Sequence, residues 1–433
     1  MSDWKLHTPQ GTGDILPEEC ARKKEVESTI WNVFTSMGYQ EIETPSFEYY
    51  DSYIGSGGQI SQENMFKFFD DHGRILNLRP DFTTSIARMA ATKENHRVKP
   101  LRYCYTGNVF RMEMTEGARQ REFTQSGIEL IGSYAPEADA EVIAAAIEAV
   151  LALGIEEFQV EIGQVAFFNG LTRQAGLSEA DIERLRERID TKDSMGIKTL
   201  SEKLEISDEV KKLLVELPYM FGGIEVFEKA DVAGLNEKSK EALANLKRIY
   251  ELLCLYGFEK YVSIDLGMLQ NIDYYTGTIF KCYTHGVGFP VCGGGRYDHL
   301  VEKFGDPAGA VGVAFGINRL LSAMRDSDVQ PKPYQPSASL IYPEYNAEGL
   351  AYDIAYSLRV NGCLVEMYIG GGDCGAAEQY AEEIGCGAML RVYPDGKLQI
   401  KEMATGEITE TDVNTFLGYY DDEDECGHDH DCG

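Results

Sequence analysis

This 433-residue chain lacks any run approaching the roughly 18 apolar residues that would argue for a membrane span. Its opening, MSDWKLHTPQGTGDILPEE, has no apolar stretch of the kind a secretory signal needs. The ten cysteines are scattered rather than paired in C-x-x-C motifs, which excludes a disulfide scaffold and fits reduced thiols in a cytoplasm. Positive charge is scarce. Forty Lys+Arg face 71 Asp+Glu, a net charge of −31, which argues against unspecific binding to nucleic acid and leaves room only for a local basic groove. We therefore expect a cytoplasmic protein with no membrane and no nucleic-acid partner.

What is present is the composition of a folded globular protein. Hydrophobic residues make up 43% and there are 25 tyrosines, and the length suits two or three domains. Val26, Ile30, Phe34 and Met37 recur at helical spacing over 20–38. A strand-rich stretch follows to 131, and AEVIAAAIEAVLALG reads as a strong helix ending at Gly154. Residues 170–256 change to charged helices, the first opened by Ser178 with Asp181 in capping-box fashion, and read as a helical insertion. Strands return at 260–266, 276–283 and 310–316. Past the proline-marked PKPYQP, strand and helix alternate as in a small parallel α/β domain. The fold class is thus α/β (α+β). The core spans 1–325, a linker 326–336, an acidic α/β domain 337–418, and an acidic tail 419–433 that is expected to be disordered.

Polar chemistry gathers in four places. In RPDFTTSIARMA, Asp81 to Thr84 open a helix after Arg79-Pro80, and the hydroxyls and free N–H groups at that end suit a polar ligand; an ordinary capped helix is the plainer account. In YTGNVFRMEMTEGARQREFTQSGIELIG two strands flank a turn. Alternation places Arg111 and Glu113 on one face, and Phe123, Gln125, Gly127 and Glu129 on one face of the second strand. Buried, such groups are costly unless they meet a ligand or one another, and Gly127 leaves room for something to lie on the sheet. A solvated face with cross-strand ion pairs would read the same. VCGGGRYDHLVEKFG holds three glycines before a helix, where backbone can approach a ligand, and Arg319 lies on the helix that GINRLL begins. MLQNIDYYTGTIF brings Tyr274 and Tyr275 beside the uncharged Gln270 and Asn271.

That ordered set, PQGTGDILPEE, GYQEIETPSFE, FRME, DYYTGTIF, GGGRYDHLVEKFG and GINRLL, resembles the class II aminoacyl-tRNA synthetase core of the histidyl-tRNA synthetase type over nearly all of residues 8–325. The resemblance implies an antiparallel sheet flanked by helices, dimerisation through the first motif, and a histidine pocket made by Asp81, Thr83, Arg111, Gln125, Glu129, Tyr274 and Tyr275. Glu113 and Arg319 would mark a residual nucleotide site. Working synthetases carry an arginine where this chain has Gln270, and losing one such stabiliser costs on the order of a hundred- to a thousandfold in rate. Phe82 stands in place of a glycine, the carboxylate at Asp81 is one methylene shorter, and Asn318 replaces a glutamate. Residues 334–433 carry 4 Lys+Arg against 20 Asp+Glu, a net charge of −16, which repels RNA.

These departures match the family of synthetase-like regulatory subunits of ATP phosphoribosyltransferase. That resemblance implies a non-catalytic chain, without a cofactor, that forms a homodimer within a hetero-oligomer. It would activate a short-form catalytic subunit and sense histidine as effector. An active histidine–tRNA ligase, or a histidine-binding module with another partner, are the alternatives. Cys426, His428, His430 and Cys432 in the tail have donor chemistry for zinc or nickel. Their one-residue gaps are tighter than structural sites use, so no metal is assigned.

Overall fold

A computed structural model describes residues 4–54, 62–112, 120–269, 275–326 and 339–418. The chain divides into two compact units between Pro331 and Lys332. Among the described residues, no helix is long and apolar enough to cross a membrane.

The first unit is built on a nine-stranded sheet. Its strands are β1 (Gln40–Glu41), β5 (Leu101–Phe110), β6 (Glu122–Ile131), β7 (Phe158–Gln164), β8 (Phe221–Gly222), β9 (Val262–Asp265), β10 (Thr278–Thr284), β11 (Cys292–Arg296) and β12 (Ala310–Gly316). They lie in the order β1-β5-β6-β12-β11-β10-β7-β9-β8, and the ladders from β5 to β7 are all antiparallel. A separate small sheet holds β2 (Phe47–Tyr49), β4 (Ile75–Leu78) and β3 (Lys67–Phe69).

One face of the large sheet is covered by α1 (Pro17–Ser36), α3 (Pro136–Ala152), α9 (Glu237–Leu255) and α11 (Ile317–Asp326), packed around Ile30, Phe34, Ile128 and Phe315. Pro17 and Pro136 open their helices at the turn where a missing N–H costs nothing, and acidic residues in both first turns favour the helix dipole. The other face carries α2 (Thr83–Thr92) and α10 (Asp298–Glu302) over Tyr103, Tyr105 and Tyr297.

Between β7 and β9 the chain makes α4 (Val165–Gln174), α5 (Glu179–Asp190), α6 (Ser194–Ser201), α7 (Asp208–Glu216), α8 (Glu225–Ala230) and α9. Ser178 caps α5 as expected: its Oγ accepts from the Asp181 N–H (3.3 Å) and donates to the Asp181 carboxylate (2.7 Å). The excursion returns to pair β9 parallel with β7. It also supplies β8 to the sheet edge, so the region is not purely helical.

The second unit has β13 (Ser339–Pro343), β14 (Val365–Met367), β15 (Ala388–Val392), β16 (Lys397–Glu402) and β17 (Ile408–Asp412), ordered β14-β13-β15-β16-β17. Helices α12 (Glu348–Val360) and α14 (Val413–Leu417) cover one face, and α13 (Cys374–Glu383) the other. The parallel reading holds for β13 with β14 and β15. It fails beyond them, because β16 and β17 return antiparallel through tight turns. The linker from residue 327 and the tail from 419 lie outside the described residues.

Candidate functional site: a polar pocket on the sheet

A cavity of about 190 Å³ lies on the α2 side of the sheet, floored by β6, β12, β11 and β10. Five of the expected histidine-site residues, Asp81, Thr83, Arg111, Gln125 and Glu129, line it, and Tyr275 does too. Arg319 borders it from the start of α11. Tyr274, Gln270 and Glu113 lie outside the described residues.

Strand alternation does much of this gathering. Gln125 and Glu129 project from one face of β6, and Gly312 faces Glu129 across the β6–β12 ladder. A side chain at Gly312 would overlap the Glu129 carboxylate, so glycine is what lets that group lie over the sheet. Gly127 behaves differently from the sequence expectation. The space above it is filled by the Tyr105 ring, not left for a ligand. Phe82 stacks on that ring at 4.3 Å between centroids, and the Arg79 guanidinium lies 4.0 Å from the Phe82 centroid. Phe82, conspicuous in the sequence, is therefore a buried packing residue behind the pocket.

Glu129 is only 2% exposed. Thr83 Oγ1 donates to its Oε1 (2.9 Å), and the Tyr297 hydroxyl donates to its Oε2. Burial pushes its carboxyl up to about 8, against these two hydrogen bonds. Asp81 is raised in the same direction by burial, opposed by the Thr84 N–H (3.1 Å) and the Arg111 charge. Burial disfavours the charged form of both carboxyls, a cost that a cation reaching them would offset.

The arginines are engaged with the protein. Arg111 Nε donates to the Pro80 carbonyl (3.0 Å) and its guanidinium sits 5.4 Å from the Phe123 ring centroid. Arg319 donates to the Pro290 carbonyl (2.9 Å) and lies over Phe289. Asn318 Nδ2 donates to Gln120 Oε1. Among the described residues, no group of three or more His, Cys, Asp or Glu side chains could hold a metal ion.

Two features escaped the sequence reading. CGGGR, whose three glycines stand before a helix and carry no strand signal, is the central strand β11, and Gly295 lies against Tyr275. Arg296 does not line the pocket. Its Nε bonds both Asp139 oxygens at 3.1 Å and Nη1 bonds Asp298 (3.1 Å) in a buried ion-pair cluster. Tyr297, one residue on, is the missed pocket residue. The alternation Gly293, Gly295, Tyr297 was the available signal.

The fold defines a class II, histidyl-tRNA synthetase-like protein. A family model for histidyl-tRNA synthetase matches residues 11–320. Two relatives named ATP phosphoribosyltransferase regulatory subunit are 46% identical over 417 residues (Acetivibrio thermocellus; 96% of this chain, 100% of the relative) and 40% identical over 418 (Ruminiclostridium cellulolyticum; 96% and 99%). A solved ATP phosphoribosyltransferase regulatory subunit/histidyl-tRNA synthetase from Bacillus halodurans C superposes with TM-score 0.76 at 33% identity, covering 90% of this chain and 98% of that one. A histidyl-tRNA synthetase from Nostoc shares the fold with TM-score 0.77 at 23% identity, covering 95% and 97%. The chain belongs to the family of ATP phosphoribosyltransferase regulatory subunits.

Proposed function

We propose that this chain binds free histidine in the β6–β12 pocket, activates a short-form ATP phosphoribosyltransferase catalytic subunit, and relays histidine occupancy as feedback inhibition of histidine biosynthesis. The observation that carries this reading is the pairing of buried Asp81 and Glu129 beside Thr83, Gln125 and the two tyrosines Tyr275 and Tyr297. An amino acid with an ammonium and an imidazole offers one partner to each carboxyl. The polar lining discriminates because a wrong side chain would leave buried groups unpaired.

The chain is itself non-catalytic in this reading, because Gln270 and Asn271 stand where charge would be needed between carboxylate and α-phosphate. A pocket that binds without chemistry acts by favouring one state of an assembly over another, a coupling of typically 1–3 kcal/mol. The homodimer would form through the small sheet, whose Phe47 and Phe68 meet edge-on and are partly exposed beside Tyr49.

The test is reconstitution. Mixing the chain with a short-form catalytic subunit should give a complex in gel filtration and faster turnover than the catalytic subunit alone. Histidine should inhibit it, and inhibition should disappear in Glu129→Ala while activation remains. Equal inhibition of the catalytic subunit without this chain defeats the proposal.

A further inference from the structure

An amino acid brings a carboxylate as well as an ammonium and a side chain, and that carboxylate needs a cation once it leaves water. Among the described residues the pocket lining holds three cations, Arg111, Arg319 and Lys281. The two arginines are committed to the walls. Arg111 has its Nε on the Pro80 carbonyl and its charge set against Asp81. Arg319 bonds the Pro290 carbonyl and lies over Phe289. Lys281 belongs to β10, at the opposite edge of the floor from Glu129.

The floor between those edges is bare. Lys281 stands opposite Gly293 on β11, Gly293 opposite Ala314 on β12, and Ala314 opposite Gly127 on β6. Along the Glu129 row, Gly312 and Gly295 come first, and Ile279 only after them. The two central strands therefore carry nothing larger than a methyl group at these positions. β6 and β10 are three strand spacings apart, about 14 Å between backbones. Carboxyls line the cavity from one edge and an ammonium from the other, which is the charge pattern of a zwitterion reversed.

Strand order puts β7 and β9 beyond β10, away from that floor. Glu161 faces Lys281 across the β10–β7 ladder, and Asp265 on β9 and Asp190 at the end of α5 also act on it. Burial lowers the Lys281 pKa, and these three carboxylates oppose that shift in support of the charged form. Three donors on a flexible stem let a lysine share its contacts between the two sides.

We propose that Lys281 anchors the carboxylate of the ligand, and that the pocket thereby selects free α-amino acids over amines and alcohols with the same side chain. The proposal rests on the reading that the pocket binds free histidine. Ammonium and imidazole then lie toward the Asp81–Glu129 edge and the carboxylate toward β10. Selectivity follows because an alcohol in place of the carboxylate forms no ion pair with the half-buried lysine.

The experiment titrates the full chain by calorimetry with histidine and with histidinol, which carries an alcohol where histidine has its carboxylate. Wild type should prefer histidine by on the order of tenfold or more. In Lys281→Met, histidine affinity should fall by a similar factor while histidinol affinity changes little, so that the preference collapses. Lys281→Arg keeps the charge and should keep a preference, which separates a lost cation from a disturbed fold, with circular dichroism as the check. Equal affinity of wild type for the two ligands overturns the proposal, whatever the variants do. So does a preference that survives in Lys281→Met, or one lost in Arg111→Met instead. A fall of both ligands by the same factor in Lys281→Met also overturns it, because the lysine would then act only on the shape of the pocket. These outcomes leave the histidine-binding reading intact. No histidine binding by wild type removes both.

Discussion

The two units of this chain put their polar groups to opposite uses. The sheet unit has surface ion pairs such as Lys240–Glu237, but it also turns a set of charged side chains inward. Glu129, Asp81, Asp139 and Arg296 are all nine-tenths or more buried, and each is matched to a named partner. In the second unit the ion pairs sit at the surface with both partners partly wet, as in Lys401–Glu378 and Lys397–Glu410. Both units keep an apolar core, one around Ile128 and Phe315, the other around Ile341, Ile354 and Val392. The lesson is that cores hold a fold while polar groups decide its use, and the two can change independently. A synthetase-like frame is shared with solved relatives along most of the chain, with a polar pocket in the first unit and a strongly acidic composition in the second.

That contrast breaks most easily at the buried ion pair. Arg296→Ala strands Asp139 as a buried, unpaired charge, and we expect a loss of about 3–5 kcal/mol in denaturant unfolding. If the loss is under 1 kcal/mol, the inward polar groups of the sheet unit are not held as described. Next in size is the chemistry. Histidine-dependent pyrophosphate–ATP exchange should run on the order of a hundred- to a thousandfold below that of a working synthetase. An ordinary exchange rate would restore the ligase reading.

Third, Glu129→Ala should weaken histidine binding by about 2 kcal/mol or more in calorimetry, as the ligand's cation loses its partner. The fourth effect is the pH dependence of the same site. Burial raises Glu129 above its unfolded value, to about 8, so the folded, empty protein holds this proton more tightly than the unfolded chain does. Stability from this group is therefore full at acid pH and declines as pH rises toward 8. A bound cation reverses the preference. Histidine affinity should then rise between pH 6 and pH 8, by up to about 1.4 kcal/mol per pH unit, with proton release detectable in buffers of different ionisation enthalpy. A flat profile would mean that Glu129 binds as the neutral acid. The smallest effect belongs to the second unit: Lys401→Ala at its surface pair should cost less than about 1 kcal/mol in thermal unfolding.

How far the sequence alone could go follows from the same physics. Ser178 before Asp181 announces α5, because a cap is a local device that works with little help from the rest of the fold. Asp81, Gln125 and Glu129 were found through alternation and through motif order, which is a property of the line of residues. β11 was not, since Gly293, Gly294 and Gly295 carry no strand propensity and are extended only because β10 and β12 pair on either side. Tyr297 was missed with it. Gly127 was misjudged because nothing in its own strand says that Tyr105, opposite it on β5, will swing its ring across. The antiparallel return of β16 and β17 depends on the tight turns that reverse the chain before each of them, at Gly396 and Gly406. Alternating charged residues such as KLQIKE gave no sign of direction.

The parallel pairing of β7 with β9 sets a topological obligation that the excursion between them exceeds many times over. Two adjacent parallel strands cannot be joined by a hairpin; they need a crossover of a dozen or more residues, and one helix satisfies it. This chain spends six helices there. Its departure at Gln164 and its return at Val262, which pairs with Val160, lie at opposite ends of two neighbouring parallel strands, so most of its length exceeds what the crossover itself requires. Such a segment can lengthen, shrink or be exchanged while the floor of the pocket keeps its register. The minimum replacement is a single amphipathic helix, and anything beyond that is free to be shaped by what it meets.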